Sequence, residues 1–260
     1  MQAAFVDIGL DKASFIHARD LCPWETSTKD PEEQDIRALL REGQTLLVQV
    51  VKDPIGTKGA KVTASVTLAS RNLVYLPDAQ HIGVSAKIED EQLRETLKQK
   101  LQAAIERVCS QNTAQNLPAL NGGFIVRTAA ESQSDGMFEA DIHYLARLWR
   151  ALQKKITTRD TPSIIYQELR LYERVIRDFV YPGLEKIRVD SEQVFTELTH
   201  FSQAFVPEYL DKIEHYTAAR PIFDLFGVED EIAKALGRQV SLKSGGYLVI
   251  DQTEAMTTID

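Results

Sequence analysis

The sequence predicts an α+β protein of several domains, because strand and helix patterns are segregated along the chain. Residues 1–80 contain short runs rich in Val, Phe, Thr and Leu between glycines and prolines, which is typical of a small β-sandwich or barrel. Residues 81–165 carry two amphipathic helical patterns, and residues 166–243 alternate between helix and strand. With 260 residues and 43% hydrophobic content, the chain can bury a sizeable core.

The first 80 residues contain five strand patterns. A polar, turn-rich stretch at residues 22–33 interrupts them and predicts an exposed loop. Residues 35–42 predict a short helix before the third strand. The strand patterns are AAFVDIG, ASFIHA, TLLVQVVK, AKVTASVTL and NLVYLP.

Two amphipathic helices are predicted between residues 81 and 165. The first covers residues 90–109, a polar loop is expected over residues 110–123, and the run GGFIVRTAA predicts a strand that ends in a turn. The apolar faces consist of Leu93, Leu97, Leu101, Ala104, Ile105 and Val108 in the first helix and Ile142, Leu145, Leu148, Trp149 and Leu152 in the second.

Helix and strand patterns alternate in the last third of the chain. A helical run ends at Pro182 and Gly183, and EKIRVDS then predicts a short strand. Asp190 or Ser191 is expected to cap the helix that follows. Residues 227–236 predict a further helix, and RQVSLKSGGYLVID predicts a hairpin that turns at residues 243–246.

The composition predicts a cytoplasmic protein that does not associate with membranes. No run approaches the roughly 18 apolar residues of a membrane helix, and the first residues lack the basic segment and apolar core of a signal peptide. Cys22 and Cys109 are the only cysteines and form no CxxC pair, which argues against a disulfide framework or a zinc site in this stretch. The net charge of −8 argues mildly against nucleic-acid binding, but a local basic surface is compatible with an acidic total.

Carboxylates follow the apolar strand pattern near the end of the chain. Asp251 and Glu254 come after the run YLVI, and Asp260 follows a second short run. Carboxylates at strand ends are suitable ligands for Mg²⁺, although one carboxylate does not make a site. The histidines have no metal-ligand spacing and are interpreted as surface or core residues: His17, His81, His143, His200 and His215.

Five long strings in the sequence resemble one protein family. They are QAAFVDIGLDKASFIHARD, VQVVKDPIGTKGAKVT, GGFIVRTAAE, HYTAARPIFDLFGVEDEI and LKSGGYLVIDQTEAMTTID. Together they cover essentially the whole chain, in order, and resemble the ribonuclease E/G family of bacterial endoribonucleases. The resemblance implies a single-strand-specific, Mg²⁺-dependent endoribonuclease that senses 5′-monophosphorylated RNA and acts in ribosomal and messenger RNA processing and decay.

The resemblance also implies a domain order. Residues 1–80 would form an N-terminally truncated S1 domain, an OB-fold β-barrel, with a loop insertion at residues 22–42. Residues 81–165 would form a 5′-sensor region, residues 166–236 an RNase-H-like α/β subdomain, and residues 237–260 the first strands of a DNase-I-like catalytic domain. The family's second metal-binding aspartate and its CxxC zinc link, through which homo-oligomers assemble, are expected to lie beyond this chain.

Three residues of the S1-like region match the family's contacts with single-stranded RNA. Phe5 and Phe15 would stack on bases, and Lys58, in the string GTKGAK, would contact phosphate. The alternative interpretation is that both phenylalanines fill a core and that Lys58 is a solvated turn residue. Further local positive charge, not assigned to contacts, comes from Lys52, Lys61 and Arg71.

Three other residues match the family's 5′-phosphate pocket. Arg127 and Thr128 would bind the terminal monophosphate, because an arginine fork and a neighbouring hydroxyl are suitable donors. Val74 would line the same pocket. Ser70 stands where a glycine is expected from a well-known relative, and its hydroxymethyl group could help or hinder phosphate binding. The alternative is that Arg127 makes a surface ion pair and Thr128 caps a turn.

Asp260 matches the first Mg²⁺-binding aspartate of the family's catalytic site. Because the second aspartate is expected beyond this chain, we predict negligible cleavage by residues 1–260 alone. A second hypothesis is a non-catalytic RNA-binding module. A third is an unrelated metal hydrolase that would use Asp251, Glu254 and Asp260.

Overall fold

A computed structural model describes residues 2–21, 35–115, 120–131, 136–181 and 183–260 of the chain. It divides into two compact units, which are described separately. The first unit comprises Met1–Tyr181 and Ala204–Val206, and the second comprises Pro182–Gln203 and Pro207–Asp260. The predicted α+β class is confirmed, because open mixed sheets and helices occur in the same chain.

The first unit begins with a four-stranded sheet of order β1-β2-β4-β3. Strands β2 and β4 are parallel, and the other pairs are antiparallel. Because β1 and β3 lie at opposite edges, the described strands form an open sheet rather than a closed barrel. The strands are β1 Ala3–Val6, β2 Ser14–His17, β3 Gln49–Lys52 and β4 Lys61–Thr63.

A short helix and a stretch outside the described residues lie between β2 and β3. Helix α1 covers Ile36–Leu39, and the carboxylate of Asp35 accepts a hydrogen bond from the Arg37 N–H as the predicted helix start requires. The predicted loop at residues 22–33 lies outside the described residues.

A second four-stranded sheet in the same unit has the order β5-β6-β8-β7. Strands β5 and β6 precede residue 80, yet β6 pairs with β8, which follows it. On the buried face, Leu73 lies opposite Val126, and Tyr75 lies opposite Phe124. The strands are β5 Leu68–Ala69, β6 Leu73–Leu76, β7 Ile82–Val84 and β8 Gly123–Val126.

Helices α2, Glu91–Gln115, and α3, Met137–Thr158, pack together and against this second sheet. The predicted apolar faces are buried at Leu97 and Leu101 in α2 and at Leu145 in α3. Helix α2 continues into the stretch predicted as a loop, because the run SQNTAQ contains neither Gly nor Pro to stop it. The first unit also contains α4, Leu171–Phe179.

The second unit contains a parallel strand pair and an antiparallel sheet of order β11-β12-β13. The predicted hairpin is confirmed: the Leu242 N–H donates to the Gly246 carbonyl, and Gly245 has a φ of +90°. The elements are β9 Ile187–Val189, α5 Glu192–Phe205, which ends in the first unit, β10 Ile213–His215, α6 Ile222–Leu225, α7 Val228–Ala235, β11 Gln239–Ser241, β12 Tyr247–Gln252 and β13 Thr257–Ile259.

No helix in the described part of the chain is long and apolar enough to cross a membrane. The assignment of the elements to S1, 5′-sensor, RNase-H-like and DNase-I-like domains stays a prediction.

Candidate nucleic-acid interface

Phe5 and Phe15 form a cross-strand pair on one face of the first sheet. They lie opposite each other in the antiparallel pairing of β1 with β2, so their side chains share a face. Phe5 is 82% exposed and Phe15 is half-buried, whereas Ile16, on the other face, is fully buried. Phe5 therefore does not fill a core in this structure, in contrast to the alternative interpretation of the sequence.

Two lysines continue this row across the sheet. Phe15 lies opposite Lys61 of β4, and Lys61 lies opposite Lys52 of β3. The Lys61 ammonium is 2.9 Å from the Asp20 carboxylate, which offsets part of its charge, while Lys52 is exposed. The row therefore combines two aromatic rings with two basic groups.

Lys58 lies in a tight turn beside the start of β2. Two backbone hydrogen bonds between Ile55 and Lys58, of 3.0 and 3.2 Å, close the turn, and Lys58 is exposed. A Cβ at Gly59 would lie 1.9 Å from the Ala13 carbonyl oxygen, so only glycine allows the chain to pass this close. The Lys12 ammonium also donates to the Gly56 carbonyl and ties the turn to the segment before β2.

The Arg127 guanidinium is held by backbone carbonyls beside the second sheet. Val74 lies opposite Ile125, and Arg127 follows Ile125 by two residues in extended conformation, so these side chains share a face. The Arg127 Nη1 donates to the carbonyls of Ser70 and Arg71, the latter at 3.1 Å. Its Nε and Nη2 make no hydrogen bond with another described residue. One branch of the donor fork is therefore held by carbonyls, and the other donors have no partner among the described residues.

Ser70 and Thr128 flank this arginine in different ways. Ser70 is fully buried: its hydroxyl donates to the Leu73 carbonyl at 3.1 Å and accepts from the Leu73 N–H at 3.2 Å. The hydroxyl of Ser70 thus forms hydrogen bonds inside the turn. Thr128 is exposed at the start of the 3₁₀ turn Thr128–Ala130, directly after Arg127.

Asp141 is a buried carboxylate that the sequence analysis did not identify. Its Oδ2 accepts a hydrogen bond of 2.8 Å from the Asn72 N–H, inside the turn that holds Arg127. Burial raises the pKa of Asp141 to about 6, although the hydrogen bond from the Asn72 N–H opposes this rise. The available signal was a carboxylate on the apolar face of α3, at helical spacing from Leu145 and Leu148.

Asp260 lies at the end of the antiparallel sheet in the second unit. It is exposed, and its backbone N–H and carbonyl both pair with Val249 at 2.9 Å. Asp251 shares its face of the sheet, but the Arg238 guanidinium grips the Asp251 carboxylate, with Nη2 at 2.6 Å from Oδ2. Asp260 can therefore offer one carboxylate to a cation.

The described residues do not assemble a complete cation site. Within the ranges that the structure describes, no group of three or more His, Cys, Asp or Glu side chains could hold a metal ion. The three carboxylates that an unrelated metal hydrolase would use, at Asp251, Glu254 and Asp260, are accordingly not grouped. Among the described residues, Asp260 thus supplies one suitable ligand for Mg²⁺ but not a complete binding site.

Comparisons with known proteins identify relatives over the full length of the chain. The family model described as "Ribonuclease E/G family" matches residues 67–260. Ribonuclease G of Escherichia coli strain K12 is 49% identical over 265 residues, which cover 100% of this chain and 52% of that protein. Ribonuclease G of Haemophilus influenzae is 47% identical, with coverage of 100% of this chain and 51% of that protein.

A second group of relatives is more distant. Ribonuclease E of Escherichia coli strain K12 is 34% identical over 267 residues, which cover 100% of this chain and 24% of that protein. The motifs of the chain are accordingly more similar to ribonuclease G than to ribonuclease E. The chain spans about half the length of the ribonuclease G proteins that it matches.

Proposed function

The chain belongs to the ribonuclease E/G family, and on this basis we propose that it forms part of an endoribonuclease that hydrolyses single-stranded RNA. Its substrates are proposed to be ribosomal and messenger RNAs during processing and decay. The cytoplasmic location and the homo-oligomeric state of the whole protein stay predictions.

The observation that carries the RNA-binding part of the proposal is the exposed Phe5 directly opposite Phe15. Two aromatic rings on one sheet face can stack on successive bases of a single strand, at about 1–3 kcal/mol for each base. Lys58, held by its turn beside β2, supplies a charge for a backbone phosphate. A double helix cannot use this surface in the same way, because its bases are already stacked on each other.

The proposed preference for a 5′-monophosphate depends on Arg127. A phosphate needs several donors at fixed angles, and the guanidinium keeps Nε and Nη2 outside the two hydrogen bonds that Nη1 makes with carbonyls. Thr128 follows as an exposed residue that carries a hydroxyl, and Val74 lies on the same face as an apolar wall. A 5′-hydroxyl end lacks the charge that this group of residues is proposed to bind.

Asp260 is proposed as the catalytic carboxylate that binds Mg²⁺. In such nucleases the ion supplies an activated water and stabilises negative charge on the phosphate. The described residues offer only this one free carboxylate at the sheet end, so no further step is assigned to them.

The function is tested with a single-stranded oligonucleotide that carries either a 5′-monophosphate or a 5′-hydroxyl. In the whole protein that contains this chain, cleavage in Mg²⁺ that is abolished by EDTA and by Asp260→Ala but retained in Glu254→Ala supports the proposed nuclease, whereas residues 1–260 alone should cleave negligibly. Glu254 is a suitable control because it is an exposed carboxylate in the bend between β12 and β13. Cleavage that survives Asp260→Ala would contradict the catalytic assignment.

A non-catalytic RNA-binding module is the second candidate function. It is favoured by the lone position of Asp260, since no metal-binding group of three side chains occurs in the described ranges. RNA binding that requires Phe5, with no cleavage in Mg²⁺, would identify the activity of this chain as binding alone. Failure to bind single-stranded RNA at all would overturn both candidates.

A further inference from the structure

We propose that Asp141 is a positioning residue for 5′-phosphate recognition, because its carboxylate holds the turn that orients the Arg127 guanidinium. This inference rests on the proposed function of Arg127 and extends it to a residue that does not touch RNA. It assigns the specificity for the RNA end to helix α3 as well as to strand β8.

Hydrogen bonds from two sides hold the turn formed by residues 70–73. From α3, the Asp141 Oδ2 accepts the Asn72 N–H at 2.8 Å. From β8, the Arg127 N–H donates to the Asn72 carbonyl at 2.8 Å, and the Arg127 Nη1 donates to the carbonyls of Ser70 and Arg71. Asn72 thus bonds to Asp141 through its N–H and to Arg127 through its carbonyl.

This arrangement couples the carboxylate to the guanidinium through one peptide segment. The two carbonyls that receive Nη1 belong to the residues directly before Asn72. If the Asn72 N–H loses its acceptor, the segment can rotate, and the carbonyls then direct the guanidinium elsewhere. A guanidinium that is out of alignment binds a phosphate less well, so affinity falls for RNA with a 5′-monophosphate. Affinity for RNA with a 5′-hydroxyl is unchanged, because that end makes no such contact.

The Asp141 carboxylate is buried, so it depends on hydrogen-bond donors and positive charge close to it. Asp141 is 9% exposed, and a buried anion is stable only when hydrogen bonds and opposite charge replace water. The Asn72 N–H supplies one donor, the side chains of Ser70 and Asn72 also favour the anion, and Arg71 adds a favourable charge. Tyr144, on the same helix, also interacts electrostatically with Asp141, and burial raises the pKa of its hydroxyl well above the ordinary value.

The first test compares the affinities of 5′-monophosphate and 5′-hydroxyl forms of one oligonucleotide by fluorescence anisotropy. The ratio of the two affinities is the readout, because a general loss of folded protein changes both affinities equally. In Asp141→Ala we expect the ratio to fall about tenfold, as expected for a lost hydrogen bond to a charged group. Asp141→Asn keeps an acceptor oxygen but loses the charge, so its ratio should lie between those of the wild type and Asp141→Ala.

Glu139→Gln is the matched control on the same helix. The Glu139 carboxylate pairs with the Arg107 guanidinium of helix α2 at 2.6 Å, so removal of its charge should leave the ratio unchanged. An equal fall in Glu139→Gln and Asp141→Asn would overturn the proposal, since the effect would then follow the charge of the helix.

The second test uses pH and remains available if Asp141→Ala does not fold. Two groups change charge between pH 5 and 7.5: the RNA phosphate, with a second pKa near 6, and Asp141. In Asp141→Asn only the phosphate titrates, so this variant gives the pH dependence that is due to the phosphate alone. We expect the wild-type ratio to exceed that of Asp141→Asn at pH 7.5 and to converge with it at pH 5.

The outcomes separate this inference from the function on which it rests. A wild type that binds both RNA ends equally would overturn the 5′-sensor assignment, and the role of Asp141 with it. A wild type that discriminates, together with parallel pH profiles and an unchanged ratio in the Asp141 variants, would overturn the role of Asp141 alone.

Discussion

The proposed RNA contacts depend on a few side chains that are positioned mainly by the backbone. Phe5 and Phe15 share a face because of strand register, and Lys58 is held by a tight turn. The Arg127 guanidinium is oriented by two carbonyls. These groups keep their apolar or charged surface available to a ligand.

At the scale of one residue, Phe5 should contribute to RNA affinity and little to stability. Because Phe5 is 82% exposed, Phe5→Ala removes a stacking surface without opening a cavity. We expect RNA affinity to fall about tenfold and the free energy of unfolding to change by less than about 0.5 kcal/mol. Anisotropy and urea unfolding measure the two quantities.

Leu10→Ala is the control for this change, because Leu10 is 52% exposed and lies outside the four strands of the sheet. An equal loss of RNA affinity in both variants, or a marked loss of stability in Phe5→Ala, would contradict the stacking role.

Asp141 should also give the protein a pH-dependent stability. Its pKa is about 6 in the fold and 3.8 as the ordinary value, so the folded state binds the proton more tightly over this window. The free energy of unfolding therefore falls as pH rises from about 4 to 6 on account of this group, by about 3 kcal/mol in total. In Asp141→Asn this contribution should disappear, as measured by urea unfolding at several pH values. Parallel curves for the two proteins would show that burial does not shift this pKa.

At the scale of elements, strand pairing and close backbone approaches place the candidate residues. The register of β6 with β8 puts Val74 on the same face as Arg127. The backbone at Gly59 lies close to the Ala13 carbonyl, and this close approach positions Lys58 beside β2. Small changes in the backbone of these elements should therefore move the candidate residues and change RNA affinity.

Gly59→Ala tests this dependence on backbone path. The new Cβ would lie 1.9 Å from the Ala13 carbonyl oxygen, so the chain must shift. We expect the free energy of unfolding to fall by about 1–3 kcal/mol and RNA affinity to decrease as the Lys58 turn moves. Gly246→Ala is the control, because no atom lies within 4 Å of its added Cβ. Equal stability of the two variants in urea would refute the close approach.

At the scale of the whole molecule, the acidic total leaves only local basic groups to attract RNA. The net charge is −8, so the electrostatic part of binding should come from a few contacts such as Lys58 and Arg127. The proposed interface is accordingly small and aromatic rather than an extended basic surface.

The salt dependence of RNA binding measures this number of contacts. Two neutralised phosphates predict that the logarithm of affinity falls with the logarithm of salt concentration at a slope of about −1.4. Lys58→Ala should reduce the slope by about half, and Lys87→Ala, which removes an exposed lysine outside the row, should not change it. A much steeper slope would reveal a basic surface that these residues do not include.

The sequence by itself determined the elements whose signals are local. Apolar spacing predicted the buried faces of α2 and α3, and the run KSGG predicted the turn between β11 and β12. The long matching strings also indicated the family, which the comparisons confirmed. Periodicity and turn chemistry operate over a few residues, so they can be recognised without tertiary contacts.

Only the tertiary structure decided which distant residues meet. The Asp141 carboxylate and the Asn72 N–H are 69 positions apart, and the Arg127 guanidinium reaches the Ser70 carbonyl across 57 positions. No periodic pattern encodes such contacts, because they depend on the pairing of β6 with β8 and on the packing of α3 against that sheet. The inward position of the Ser70 hydroxyl depends on the same turn, which is why the sequence alone left its effect undecided.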